Sequence, residues 1–241
     1  MSVNKVITAD EAVAGVKDGM TLMIGGFLGT GSPEIILDAL VRKGVKHLTI
    51  IANDGGLDKG QPGNAPADHS RGVGKLLDHN MVDHIIASHL GVNPKLNEQI
   101  AAGTLTYTLV PQGTLGEKCR AAAFGLGGVL TVTGVGTPME TEKDELGRDK
   151  IVVNVDGTEY LLERPLHADY AFLRASVCDI FGNFISFKAT KNYNYPMAGA
   201  ADHTIVATEK LVQIGEKDPD FFDIAGVLVE GVVEGEPKWQ I

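Results

Sequence analysis

The 241-residue chain is poor in cysteine, with Cys119 and Cys178 as its complement, too few for a disulfide framework. It lacks an apolar run near 18 residues, a signal peptide and a basic transit segment. No spanning helix is therefore expected, and a reducing cytoplasm suits the two thiols. Basic charge is also scarce: 21 Lys and Arg stand against 31 Asp and Glu, a net charge of −10. That balance argues against a sequence-blind hold on nucleic acid or an anionic membrane. No Pro/Ser-rich linker and no internal repeat divides the chain, so a single domain over 1–241 is expected. Hydrophobic residues at 44% and charged residues at 22% are near the globular average and argue against wholesale disorder.

Several catalytic signatures are missing as well. There is no Gly-x-Gly-x-x-Gly spacing and no Gly-Lys-Ser/Thr loop, so neither a dinucleotide nor a nucleoside triphosphate is expected. No Gly-x-Ser-x-Gly elbow occurs, and neither cysteine has a nearby His in a nucleophile pattern. His79, His84 and His89 recur every five residues, which fits neither a zinc ligand pattern nor the i, i+4 pair of a helix, so no metal site is expected. They read as surface residues.

Glycine is what the chain has in excess, with 30 residues, against an average near 7% of a chain. Such an excess signals tight turns or backbone that approaches a ligand closely. Short apolar runs at Thr21–Gly25, Leu48–Ala52, His84–Ser88 and Leu105–Val110 alternate with helical periodicity, the pattern of parallel strands joined by crossover helices. Thr8 with Glu11 predicts a capping box for a first helix. Ser32, Pro33 and Glu34 read as N-cap, first helical residue and first-turn acid of a second. Beyond Phe124 the pattern changes. The charged run Glu140–Lys150 has the composition of an exposed loop, Val152–Val155 and Glu159–Leu162 read as a hairpin about Asp156-Gly157, and Ala171–Val177 with Phe184–Lys188 as a second hairpin. Parallel-type strands return at Thr204–Ala207 and Val227–Val233.

Three strand-to-helix junctions stand out, because ligands of open α/β sheets bind beyond the carboxyl ends of strands. The first is Gly25-Gly26-Phe27-Leu28-Gly29-Thr30-Gly31-Ser32-Pro33, with a tight turn holding no ligand as the alternative. The second is Pro111-Gln112-Gly113-Thr114, where Thr114 and Glu117 suggest another capping box. Gln112 there could donate its amide to a substrate oxygen or simply face water. The third is Ala52-Asn53-Asp54-Gly55-Gly56, which reads as ordinary turn chemistry.

Taken in order, these segments are similar to family I coenzyme A transferases, as found in their α (A) subunits. The similarity extends from Asp18–Phe27 through Leu48–Asp54, Ile86–His89, Pro111–Leu115, Gly125–Gly128 and Thr133–Thr137 to Leu161–Pro165, nearly the whole chain. It is to the acetate and butyrate–acetoacetate kind, and more loosely to the N-terminal half of fused 3-oxoacid CoA-transferases. The resemblance implies an α/β fold with a mostly parallel sheet flanked by helices and a small antiparallel extension. It implies ping-pong transfer through a glutamyl-CoA thioester, with the glutamate in a Ser-Glu-Asn-Gly segment of a partner β subunit. None of the 14 glutamates here precedes an Asn, so this chain is expected to be half of an active site in a heterotetramer or larger assembly. Coenzyme A is then a substrate and no resident cofactor is expected. Gln112 carries over as the amide donor to the thioester oxygen. Gly25, Gly26, Phe27, Leu28, Gly29, Thr30, Gly31 and Pro33 carry over as the wall of the acyl and CoA thiol site, and Asn53 as a carboxylate contact.

Two departures qualify the resemblance. Arg120-Ala121-Ala122-Ala123-Phe124 replaces Arg-Ala-Gly-Gly and a small residue, which is expected to reshape the acyl pocket, and the stretch Leu57–Arg71 is longer than usual. Two other readings stay open. One is an acyl-CoA hydrolase subunit, and the other is a non-enzymatic small-molecule sensor of related fold, although neither a helix-turn-helix pattern nor a basic patch is present.

Overall fold

The computed structural model describes residues 4–61 and 68–237, so residues 62–67 of the long Leu57–Arg71 stretch lie outside the described residues. In chain order the elements are α1 Ala9–Ala12, β1 Thr21–Ile24, α2 Glu34–Lys43, β2 Leu48–Ile51, α3 Gly74–Asp78, β3 Val82–Ala87, α4 Pro94–Ala101, β4 Thr106–Leu109 and α5 Gln112–Ala123. The second half adds β5 Val129–Thr131, β6 Ile151–Val155, β7 Thr158–Glu163, β8 Ala168–Ala175, β9 Val177–Asp179, β10 Phe184–Ile185, β11 Ala201–Thr208, β12 Leu211–Val212 and β13 Gly231–Glu234.

Seven strands form the main sheet in the order β13-β11-β8-β1-β2-β3-β4, and every pairing in it is parallel. The chain winds outward from β1 to β4 and then returns to the other side of β1, so a topological switch point falls between β1 and β8. In such sheets the crevice opens at the carboxyl ends beside that point. Strand periodicity of two sends Leu22, Ile24, Ile50 and Ile85 into one apolar layer under α2 and α3. Met23, Ile51 and Ile86 enter the other, where α5 contributes Leu115, Cys119 and Ala122. Burial on both faces is the condition under which a parallel sheet survives in water.

The expected capping box closes α1: Thr8 Oγ1 accepts the Glu11 N–H at 3.2 Å, and the Glu11 carboxylate accepts the Thr8 N–H at 2.8 Å. The hairpin about Asp156 and Gly157 is β6–β7, with both turn residues at positive φ, 51° and 85°, as a type I′ turn requires. Three expectations are corrected. Ala171–Val177 is not a hairpin arm. Its Ala171-Phe172-Leu173 run belongs to β8, buried on both faces inside the main sheet, and the hairpin about Gly182 is made by β9 and β10. Val227–Val233 is a strand only from Gly231, because Gly226–Leu228 forms a 3₁₀ turn. The run Glu140–Lys150 is not a solvated loop throughout, since Asp144, Glu145 and Lys150 expose only 3%, 5% and 8% of their side chains. Ion pairing with Lys118, Glu163 and two arginines draws them in.

Candidate functional site

The three junctions meet at the carboxyl edge of the sheet. In the first, Phe27 and Thr30 exchange backbone hydrogen bonds of 2.9 and 2.8 Å around Leu28 and Gly29, which sit at φ 49° and 77°. A positive φ at leucine is costly. It is held because the Leu28 N–H donates to Asp54 Oδ2 at 2.9 Å, which joins the first junction to the third. Phe27 projects into solvent with 41% exposure, and Leu28 and Thr30 are half-buried. Gly29 in the turn is buried, as are Gly25, Gly26, Gly31 and Pro33 on either side of this small hairpin. The bare Cα of Gly25 answers to an internal neighbour: a Cβ there would lie 1.9 Å from Asn194 Oδ1. Asn194 ties the crevice floor together, accepting the Arg174 N–H at 2.8 Å and donating to the carbonyls of Gly31 and Thr190 at 2.8 Å.

The second helix does not begin on Ser32. Pro33 is its N-cap, and no side chain of the junction caps it. The amides of Glu34 and Ile35 donate to the Glu236 carboxyl at 2.9 and 3.1 Å, and the Glu34 amide also lies 3.0 Å from the Ser32 carbonyl. This helix end, where an anionic ligand would be favoured, is occupied by the protein's own acid.

At the other junction α5 starts three residues earlier than the Thr114 capping box predicts, with Pro111 as N-cap and no side-chain cap. Gln112 is therefore the first residue of a helix, not a turn residue. Its carbonyl accepts the Tyr193 hydroxyl at 2.6 Å, and its exposed side chain donates Nε2 to Asn53 Oδ1 at 2.7 Å. Asn53 is buried and also accepts Ser88 Oγ, at 2.9 Å on its carbonyl and 3.1 Å on Oδ1, while its own Nδ2 donates to Asp54 Oδ2 at 2.6 Å. One N–H of the Gln112 amide is thus engaged. The second is available to an oxygen in the cleft alongside, a space of about 370 Å³ lined by Phe27, Gln112, Gly113, Gly116, Tyr193 and Pro196. Neither Gly113 nor Gly116 would bring a Cβ within 4 Å of another group, so this face of α5 is open.

The structure brings the sequence candidates Phe27, Asn53 and Gln112 together: Gln112 bonds Asn53, and Phe27 lines the cleft beside Gln112. Sequence reasoning missed Asp54, dismissed as a turn residue, and Asn192–Pro196, which carries no motif. The alanine and phenylalanine departures lie at the end of α5 away from Gln112. Ala122 packs in the core and Phe124 is the 70% exposed C-cap of α5, about 18 Å along the helix from Gln112 at 1.5 Å per residue. Within this chain the added methyl at 122 fills the core under α5, and the ring at 124 faces water. His79 and His89 are exposed as expected. His84 is half-buried, bonded to the Thr106 and Thr108 hydroxyls, and held below its ordinary pKa by burial.

Other candidates are spent on structure. A larger cavity of about 720 Å³ lies over the β2–β3 face, but its Arg148 and Arg164 both engage Asp144, at 2.8 and 2.9 Å. Cys119 and Cys178 are buried, and burial pushes the Cys119 thiol up to about 12 and Cys178 further still, away from any nucleophilic thiolate. Among the described residues no group of three or more His, Cys, Asp and Glu is placed to hold a metal ion, and no helix is long and apolar enough to cross a membrane.

The fold and the polar cluster together define a candidate ligand crevice at the carboxyl edge of a parallel α/β sheet. The family model described as coenzyme A transferase matches residues 6–235, and the chain belongs to that family. It is 40% identical to the acetate CoA-transferase subunit alpha of Escherichia coli strain K12, over 95% of this chain and 96% of the relative. It is 42% identical to the acetoacetyl-CoA:acetate/butyrate CoA transferase alpha subunit of Clostridium acetobutylicum, over 96% and 98% of the two chains. In fold it matches an acyl-CoA transferase of E. coli O157:H7, solved as a thioester complex with CoA, at a TM-score of 0.80 and 24% identity; the match covers 99% of this chain and 48% of that one.

Proposed function

We propose that this chain is the α subunit of a heteromeric CoA-transferase. It moves CoA from a short-chain acyl-CoA to acetate, butyrate or acetoacetate, and its β-subunit partner carries the nucleophilic glutamate in a Ser-Glu-Asn-Gly segment. The glutamate carboxylate takes CoA from the donor thioester as a glutamyl thioester and releases the donor acid; the acceptor acid then takes CoA and frees the carboxylate. In both half-reactions negative charge builds on the thioester oxygen. Gln112 supplies an uncharged amide N–H there, Phe27 and the hairpin about it wall the acyl and thiol end, and Asn53 contacts the acid. The observation that carries this reading is Gln112 itself: first residue of α5, exposed at the cleft, with its amide anchored at one N–H by Asn53 at 2.7 Å.

The experiment is steady-state transfer between acetyl-CoA and butyrate or acetoacetate, measured for this chain alone and with its β subunit. Activity is expected only with both, and release of free CoA is expected to be slow without an acceptor acid. Gln112→Ala in the complex is expected to lower kcat about 100-fold, as loss of one oxyanion donor does. A kcat within threefold of native returns Gln112 to the role of a polar surface residue.

A further inference from the structure

We infer that Asp54 is the positioning residue for the Gln112 amide, acting through Asn53; the inference rests on the donor role proposed for Gln112. Three N–H groups converge on the two buried oxygens of Asp54: Leu28 N–H at 2.9 Å and Asn53 Nδ2 at 2.6 Å on Oδ2, and Gly56 N–H at 2.7 Å on Oδ1. Asp54 therefore serves purely as an acceptor, and it fixes which way the Asn53 amide faces. With Nδ2 turned to Asp54, Asn53 must offer Oδ1 to its other neighbours. Ser88 Oγ donates to that oxygen at 3.1 Å and Gln112 Nε2 at 2.7 Å.

A primary amide has one acceptor end and one donor end, so the polarity set at Asp54 is transmitted twice. Gln112 must turn its NH₂ toward Asn53, because the flipped amide would set Oε1 against Oδ1. Its donor end is thereby held at the cleft, with the second N–H of the same group free for substrate. Rotamer freedom would otherwise leave an exposed glutamine side chain with donor and acceptor ends exchangeable. Asp54 also receives the Leu28 N–H, so the carboxylate that orients the amide is the one that secures the Phe27–Thr30 hairpin on the opposite wall of the cleft.

The test is a mutant cycle on the α–β complex, with kcat, KM for both substrates and melting temperature read for each variant. Asp54→Asn keeps the shape but mixes donor and acceptor at the root of the relay. Asn53→Ala removes the middle and leaves the two backbone N–H bonds to Asp54 intact, so it tests the relay even if the first variant does not assemble. Each is expected to lower kcat at least tenfold, Asp54→Asn with both KM values within twofold of native, and to lower it less than twofold further when combined with Gln112→Ala. Losses that multiply in the double variants overturn the inference, because Asp54 and Asn53 then act independently of Gln112. Near-native kcat in Asp54→Asn alongside a roughly 100-fold loss in Gln112→Ala overturns it while leaving the donor role standing. A near-native Gln112→Ala overturns both.

Discussion

Helices α2 and α5 occupy equivalent places, each leaving the carboxyl end of a parallel strand, yet their first turns are put to opposite uses. The amides that open α2 are received by Glu236, a carboxylate from the far end of the chain. Its neighbour Glu34 is itself buried against Lys75 at 2.8 Å and the Gly72 N–H at 2.8 Å. The start of α5 receives no carboxylate and presents Gln112 to the cleft. What holds α5 lies one to two turns further on, where Lys118 is fully buried between Glu145 at 2.7 Å and Glu163 at 3.0 Å, with Lys150 on the other Glu163 oxygen at 3.2 Å. A helix start at the edge of a parallel sheet is thus not by itself a ligand site. It becomes one when the chain leaves it open and secures the helix elsewhere.

The two clusters also answer pH in opposite directions. Burial pushes Glu236 up to about 8 and raises Glu34, so the native state holds protons that the unfolded chain releases above an ordinary glutamate value of 4.5. Stability from the α2 cluster is present below that value and is lost as pH rises toward 8. Burial alone would raise Glu163 too, but Lys118 and Lys150 outweigh it and hold this carboxyl below its ordinary range. Stability from the α5 cluster is present at neutral pH and is lost as pH falls through the carboxylate range.

Breaking the α5 lock gives the largest expected effect. Lys118→Ala leaves Glu145 and Glu163 buried without their shared cation, and removal of one member of a buried ion pair costs about 3–5 kcal/mol. Urea unfolding of the α subunit measures it, and a loss under about 1 kcal/mol would mean that α5 is held by its apolar face alone. A smaller effect is expected at α2. Glu236→Gln keeps one acceptor for two amides, so it should cost about 1 kcal/mol near pH 5, while the decline in melting temperature between pH 5 and 8 becomes shallower than in the native chain. A parallel pair of melting curves across that range would place the alkaline loss elsewhere. The smallest belongs to Phe124, at the end of α5 away from the cleft. Phe124→Ala should change stability by no more than about 0.5 kcal/mol, as exposed positions do, and kcat/KM profiles from acetate to hexanoate should superimpose on the native ones. A shifted chain-length preference would bring Phe124 back to the acyl pocket.

Most of the winding was legible in local patterns. The alternation of apolar runs and helical periodicity located β1 through β4; β1 and β2 are apolar at nearly every position because both their faces are buried, whereas the edge strand β4 is largely exposed and was marked by its place in the alternation. β8 was misread beside the same kind of signal: the Gly182-Asn183 turn that follows it is real, but it closes the shorter β9–β10 pair. The charged run 140–150 misled for a related reason. Composition predicts solvation only when the charges have no partners, and Asp144, Glu145 and Lys150 find theirs on segments distant in sequence.

The sequence by itself determined the family, the alternating α/β architecture and the three junctions, and it marked Gln112, Asn53 and Phe27 as candidates. Those features rest on residue type and local spacing, which act over a few positions of the chain. Only the tertiary structure decided how the junctions are used. Contacts between residues 26 to 202 positions apart turned Asp54 from a turn residue into the root of a polar relay, spent the α2 amides on Glu236 and locked α5 through Lys118. Such pairings depend on which strands the sheet sets side by side, and β1 lies next to both β2 and β8. Hydrogen bonds and ion pairs are short-ranged and directional, so their partners are fixed only once that order places the groups within reach.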